Sequence, residues 1–389
     1  PMLPPSAAGG GHSTGEERME RGAEERERGE ERRPELGGSN QFTLAGSLQH
    51  SVALLLNAQL SLVNAALLNH LLVDLSLMEH LVTLRRFLLL ADGEFGSRLC
   101  SQLFHLVGTV RTPHQLLSPA TLNSVLSEAL SASVWGDHPL TERLSFVANE
   151  VPDVLDRSSP SVLTCLDMEY RAGWPHCLVL TDQCLARYKA IFHLFLQLRR
   201  AVWALERAFS LLKAAGELSP SGASGGPQVQ RLQLCRHEMQ HFVLALQGYL
   251  TGQVLQVSWA ELRRELLVSV HTLDELRAAH VGYIRHAARR CLLNAKSEPI
   301  MKIVQDVLRI VLKFHAQLSA VQWTVDADGQ VVHPTFAAVM KTHRQFSGYS
   351  RFLFKVVNKT KDRFYQPHLN DLANRLNFNG FYTSDVGPV

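Results

Sequence analysis

The densest chemistry in this sequence is His237-Glu238-Met239-Gln240-His241. On a helix, two imidazoles four residues apart share a face and can grip one zinc ion, with the glutamate between them acting as general base. Glu261 follows at a distance that suits a third ligand. Zinc-dependent hydrolysis by His237, Glu238 and His241 is therefore one reading of the chain. The context argues against it. Hydrolases of this kind hold substrate along an edge strand, and residues 237–261 show no strand pattern. Phe242, Val243, Leu246 and Leu250 make an ordinary amphipathic helix, and a chain with 18 histidines supplies such a spacing by chance.

The second cluster is basic. Between Lys341 and Arg363 lie Lys341, Arg344, Arg351, Lys355, Lys359, Lys361 and Arg363 against a single acid, Asp362, with Phe346, Tyr349, Phe352 and Phe354 interleaved. On a helix, Phe346, Ser350, Leu353 and Val357 form one seam, while Arg351, Lys355 and Lys359 share another face. Such a pattern suits a solvated face on a core helix, a nucleic-acid backbone or an acidic protein surface. A basic nucleic-acid-binding helical domain is thus a further alternative. It is disfavoured, because no RNA- or DNA-binding motif accompanies the charge and the net charge is only +3. The glycines from Gly222 to Gly226 lack the Lys-Ser/Thr that a phosphate-binding loop needs. No Gly-x-Ser-x-Gly elbow occurs, and no cofactor is implied.

The elements that would carry these residues are mostly helices. Leu-rich segments over 44–58 and 60–91 are punctuated by Asp92-Gly93. Helices are expected over 94–108 and 119–134. Between 144 and 171, Leu144 and Phe146, and then Leu166, Met168 and Tyr170, alternate with polar residues, and period two predicts a small β-hairpin. Thr181 or Asp182 can cap the next helix, which places Tyr188, Phe192, Phe195, Leu198, Val202, Leu205, Phe209 and Leu212 on one face before ending near Gly216. Helices over 228–251, 253–270, 272–295 and 299–322 follow, then a turn at Asp328-Gly329. Pro334 opens a helix to about 359, and a short one covers 367–376. The fold class is mostly α: a large multi-helix bundle with one small β-hairpin.

Residues 1–40 read as a disordered leader, Gly/Pro-rich and then Glu/Arg-rich, with eight Glu and six Arg from Glu16 to Arg33. So little apolar surface cannot offset the entropy of ordering. The opening residue is Pro1, not Met, which points to a fragment or a processed product. Leu48 to Val73 carries no charge and is long enough to cross a bilayer. Its amides Gln49, Asn57, Gln59, Asn64 and Asn69 would be costly in lipid. A buried helix of a soluble bundle, with no membrane, is the expectation. The six cysteines show no paired spacing and read as buried thiols.

Four blocks, in order, resemble the C-terminal domain of the gamma-tubulin complex components. The first runs from His80 through Leu84-Arg85-Arg86-Phe87-Leu88-Leu89-Leu90 to Phe95. The second is Met168 to Pro175, followed by Tyr188 and Leu198-Arg199-Arg200. The third is Arg236-His237-Glu238-Met239 with Gly248-Tyr249-Leu250. The last is Phe346 to Lys355, with Leu372 to Leu376 and Phe381-Tyr382-Thr383 at the end. The resemblance covers about residues 42–383.

The resemblance implies a helical domain over 41–389 that binds gamma-tubulin beside other gamma-tubulin complex components. It implies a structural, non-enzymatic subunit of the gamma-tubulin ring complex. That complex supports microtubule nucleation at the centrosome and spindle pole, within the cytoplasm, the cytoskeleton and the microtubule organizing center. The family's N-terminal domain is absent from this sequence. The H-E-x-x-H spacing falls in a block that the family uses as a plain helix. Because tubulins are acidic, basic and aromatic groups near helix ends become candidate contacts. These are Arg85, Arg86 and Phe87; Arg199, Arg200 and Trp203; and Arg351, Phe354 and Lys355.

Overall fold

Local signals at helix ends decide much of the architecture. In a computed structural model, the structure describes residues 44–110, 112–149, 156–218, 226–326, 330–364 and 367–383. The leader expected over 1–40 lies outside them. By its contacts the chain divides into a unit ending at Val63 and one running from Asn64. Of the first unit, the described part is helical: a turn at Leu44–Leu48, a π-helical segment at Gln49–Ala53, and the start of α1 (Leu54–Asn69).

In the second unit α1 continues through a π turn, His70–Asp74, and stops at Ser76, whose backbone is left-handed (φ 52°). The break therefore falls at Ser76, not near residue 59. α2 (Leu77–Thr83) passes into a π turn, Leu84–Leu88. Next come α3 (Gly93–Thr109), which Asp92 caps by accepting from the Phe95 amide, and α4 (Pro119–Ser131), which Ser118 caps through Thr121. β1 (Leu144–Ala148) pairs antiparallel with β2 (Leu166–Tyr170), setting Phe146 opposite Met168. This is the expected hairpin.

α5 (Asp182–Glu217) is the longest helix among the described residues. Thr181 occupies its N-cap position, but its hydroxyl turns to the Cys184 thiol and not to the helix amides. α6 (Gly226–Leu250) runs without interruption into a π-helical stretch, Thr251–Ser258, and then α7 (Trp259–Val268), where two separate helices were expected. α8 (Leu273–Arg290) opens with a full capping box of Thr272 and Glu275. α9 (Glu298–Ala320) leads to a second ribbon that alternation did not reveal, β3 (Thr324–Val325) with β4 (Val331–Val332). α10 (Phe336–Phe364) starts two residues after Pro334, and α11 (Pro367–Leu376) closes the fold.

The core gathers around α5, which packs on α6, α8 and α9, while α10 lies along α9 and α11. Tyr188, Phe192, Phe242, Phe314 and Phe346 are fully buried there, each worth about 1.5–3 kcal/mol of transfer free energy. Phe209 departs from the expected seam of α5 and is exposed, with the Arg236 guanidinium 5.0 Å over its ring. All six cysteines are free.

The buried helix expected over 48–73 is corrected. Leu55, Leu60 and Leu62 are exposed, Leu62 to 73%, and Leu68 is the buried residue of α1. Its apolar residues are spread around the helix and not gathered on one face. The small cluster of Leu77, Val179 and Leu276 covers one side near its end, burying Leu68 and Leu71 and partly covering Leu67 and Leu72. By length and composition, Gly46–Asp74 is long and apolar enough to cross a membrane.

Candidate interaction surface

The zinc motif is dismantled by its neighbours. His237 is exposed and His241 half-buried on α6. The carboxylate between them turns the other way and accepts a hydrogen bond from His343 of α10 at 2.8 Å. Burial opposes charge on His343, but Cys235 and Glu238 outweigh it and raise its pKa to about 9. Glu261 is held by Arg290 through two 2.7 Å bonds, which depress its pKa. Among the described residues no group of three or more His, Cys, Asp or Glu could hold a metal ion.

The basic and aromatic candidates fall into two kinds. Arg85 is half-buried. Its Nε and Nη2 donate to the Leu255 carbonyl at 3.1 and 2.9 Å, and its guanidinium sits 5.2 Å from the Trp259 ring. It thus ties the turn after α2 to the π-helical stretch before α7. Arg86 lies 3.6 Å over Trp135. Phe87 is in the core, edge-on to Phe95 at 4.9 Å. Arg199 donates to the Leu90 carbonyl at 3.1 Å and lies against Gly96, where a β-carbon would stand 3.0 Å from the guanidinium. Gly96 lets α3 approach α5 this closely.

Arg200 is 5% exposed and donates to the carbonyls of Ser159 and Arg157. Burial lowers its pKa to about 10, so it stays charged and pins that loop to α5. Trp203 packs on Phe104 and His315, at 5.9 and 5.8 Å between rings. Phe87 and Arg199, one from each of the first two groups, thus meet at the Leu90–Gly96 corner, while Arg85 and Arg200 clamp other parts of the fold through Leu255 and the 157–159 loop.

The α10 group packs against the chain's last turn. Phe354 is buried and stacks on Tyr382 at 5.2 Å, and the half-buried Arg351 holds its guanidinium 5.6 Å from Phe381. Lys355 is exposed. It belongs to a stripe of exposed residues that climbs α10 in steps of three and four: Lys341, Gln345, Gly348, Phe352, Lys355 and Lys359. Helical geometry places such residues above one another on a single face. Arg344 and Tyr349 flank it and are also exposed. Phe352, 54% exposed, is an aromatic ring set among ammonium groups. The sequence candidates did not include it, although its sequence signal existed. Phe346, Ser350, Leu353 and Val357 are all buried, and Phe352 lies off that seam.

Comparison with known proteins gives the family. The family pattern described as gamma tubulin complex component C-terminal matches residues 77–382. Human gamma-tubulin complex component 6 is 41% identical over 345 residues, 88% of this chain and 19% of the human protein. Mouse gamma-tubulin complex component 5 is 26% identical over 322 residues, 77% of this chain and 30% of that one. Spindle pole body component alp6 of Schizosaccharomyces pombe is 24% identical over 331 residues, 79% and 38% of the two chains. The chain thus spans about a fifth of the length of the component 6 relatives. With this match over most of its length, the chain belongs to the gamma-tubulin complex component family, of which residues 77–382 form the C-terminal domain.

Proposed function

We propose that this chain is a non-enzymatic structural subunit segment that binds gamma-tubulin. It does so within the gamma-tubulin ring complex, alongside other gamma-tubulin complex components. In this reading it supports microtubule nucleation at the centrosome and spindle pole, and its place is the cytoskeleton of the cytoplasm. Residues 41–389 form the binding domain, and residues 1–40 precede it as a leader.

The observation that supports this reading is the exposed stripe on α10. Lys341, Lys355 and Lys359 make no hydrogen bond or ion pair among the described residues, and Phe352 projects between them. An acidic tubulin surface meets cations that steer it and an apolar ring that anchors it. Arg85, Arg199 and Arg200 serve this function indirectly, by holding rigid the loops from which the helices rise.

Co-precipitation of the purified chain with gamma-tubulin tests the reading, with duplex DNA as a second bait. Retention of gamma-tubulin in moderate salt is expected. Binding of DNA with a steep salt dependence, and none of gamma-tubulin, would favour the nucleic-acid alternative instead.

A further inference from the structure

A cleft of about 820 Å³ opens where α7, the last turns of α8 and the first turn of α11 meet. It is within the size range of small-molecule sites, and no part of the α10 stripe lines it. Its charged groups are unevenly committed. Glu261 and Arg290 neutralise each other through their paired bonds. Asp371, one turn into α11 and outside the lining, is held by Gln253 at 3.0 Å and Arg375 at 2.8 Å. Arg264 and Arg289 are exposed on the rim and make no side-chain hydrogen bond or ion pair among the described residues. Glu265 is the one acid of the lining left without a partner there.

Two further features favour an anion. His368 is 7% exposed, and its Nε2 has no hydrogen-bond partner. Buried polar atoms without partners are uncommon, and one beside a cleft is open to a ligand. Burial, with Arg289 and Arg290 close by, lowers its pKa to about 4, so it adds hydrogen-bonding capacity and no charge. The cleft also receives the N-terminus of α11, which begins at Pro367. The first amides of a helix lack internal acceptors and favour negative charge.

A single carboxylate would satisfy one guanidinium. Two arginines from different helices, facing a helix N-terminus, suit a group with more oxygens and more charge. We propose that this cleft binds a soluble organic phosphate, with Arg264 and Arg289 clamping its phosphoryl groups over the first turn of α11. Apolar Val257 and Val268 line the remainder and leave room for the organic part.

Isothermal titration of the full chain with inositol hexakisphosphate and with ADP tests this, and whichever binds identifies the source of the phosphate. One saturable site per chain is expected. Arg264→Gln with Arg289→Gln should weaken it at least tenfold with unchanged circular dichroism, since both side chains are exposed. Val268→Glu, which sets a carboxylate on a rim position 69% exposed, should weaken it likewise. Lys341→Gln with Arg344→Gln, on α10, should leave it unchanged. No saturable binding at millimolar phosphate would overturn the proposal. So would an equal loss in the α10 variant, or hexaglutamate binding as tightly as the phosphates. Gamma-tubulin binding by the Arg264/Arg289 variant is scored separately, so either reading can fail alone.

Discussion

Glu238 Oε2 accepts a hydrogen bond from Nε2 of His343 at 2.8 Å, joining α6 to α10 across 105 residues of sequence. The pair carries charge at neutral pH, because Cys235 and Glu238 overcome the effect of burial and raise the imidazole to about 9. A pKa above the unfolded value of 6.5 stabilises the fold fully below pH 6.5. That stabilisation is lost as pH rises through about 9. Glu238→Gln should cost about 2 kcal/mol at pH 7, in the range for hydrogen bonds to charged groups. It should also flatten the decline in stability between pH 7 and pH 9.5. Urea unfolding at both pH values measures this. A parent protein equally stable at both would show that the pair does not titrate in that window.

The same geometry removes the catalytic role that the H-E-x-x-H spacing suggests. Among the described residues His237 and His241 have no third ligand at hand, since Glu238 serves His343 and Glu261 serves Arg290. His237→Ala, at the exposed position, should shift the melting temperature by less than about 2 °C, as surface changes contribute within about 0.5 kcal/mol, and a double variant with His241→Ala serves for the zinc measurement. Protein purified in the presence of zinc should carry less than one equivalent by elemental analysis. A stoichiometric zinc lost in the double variant would revive the hydrolase reading.

What the sequence made legible follows from range. Asp92-Gly93 acts within one helical turn, so the end it marks is found where expected, and the Ser118 cap and the Thr272–Glu275 box work over the same short range. Alternation over five residues was enough to mark β1 and β2, whereas their register, with Phe146 opposite Met168, is set by the fold. Two residues each were too few for β3 and β4. The π-helical stretch at Thr251–Ser258 carries no breaker residue apart from Gly252, at which the sequence pattern sets a boundary between two helices. The fate of the arginines is a non-local matter. Arg200 is buried because carbonyls some forty residues earlier in the chain come to meet it, whereas Arg344 has no such neighbour among the described residues. Periodicity could mark both as off the apolar seam, but could not separate a clamp from a free surface charge.

Acid should weaken the fold through its buried histidines. His280 is fully enclosed, within 3.2 Å of both the Tyr188 hydroxyl and the Val179 carbonyl. Burial lowers its pKa to about 4, only partly offset by the Val179 hydrogen bond. His80, stacked on His176 at 3.8 Å, falls to about 4 from burial first and the neighbouring His176, Arg143 and His138 next. For these groups the folded pKa lies below the unfolded 6.5. Stability is therefore intact above pH 6.5 and declines as pH falls toward 4, by about 1.4 kcal/mol per pH unit for each proton taken up. His280→Gln keeps hydrogen-bonding capacity without titrating, and should reduce that slope by about one proton. Unfolding free energies at pH 6.5, 5.5 and 4.5 give the slope directly. Identical slopes in parent and variant would place the acid sensitivity elsewhere.

The proposed gamma-tubulin contact makes a sharper demand, because two cations four residues apart on α10 should behave oppositely. Arg351 is half-buried against Phe381, with Nε shut away from solvent. Lys355 is exposed and makes no pair among the described residues. Arg351→Glu would bury a carboxylate beside an aromatic ring, so it should lower the melting temperature by several degrees. Any loss of binding in that variant would be confounded by the loss of fold. Lys355→Glu with Lys359→Glu changes only the exposed stripe. It should leave the melting temperature within about 2 °C of the parent, while gamma-tubulin affinity falls roughly tenfold, with a shallower salt dependence. Phe352→Ala should weaken binding by a similar or larger factor without altering that salt dependence, as expected for an apolar anchor and not a steering charge. Co-sedimentation at two salt concentrations separates the three. If Lys355→Glu with Lys359→Glu and Phe352→Ala both bind as the parent does, the α10 stripe is not the contact, and the search moves to the other exposed faces of the domain.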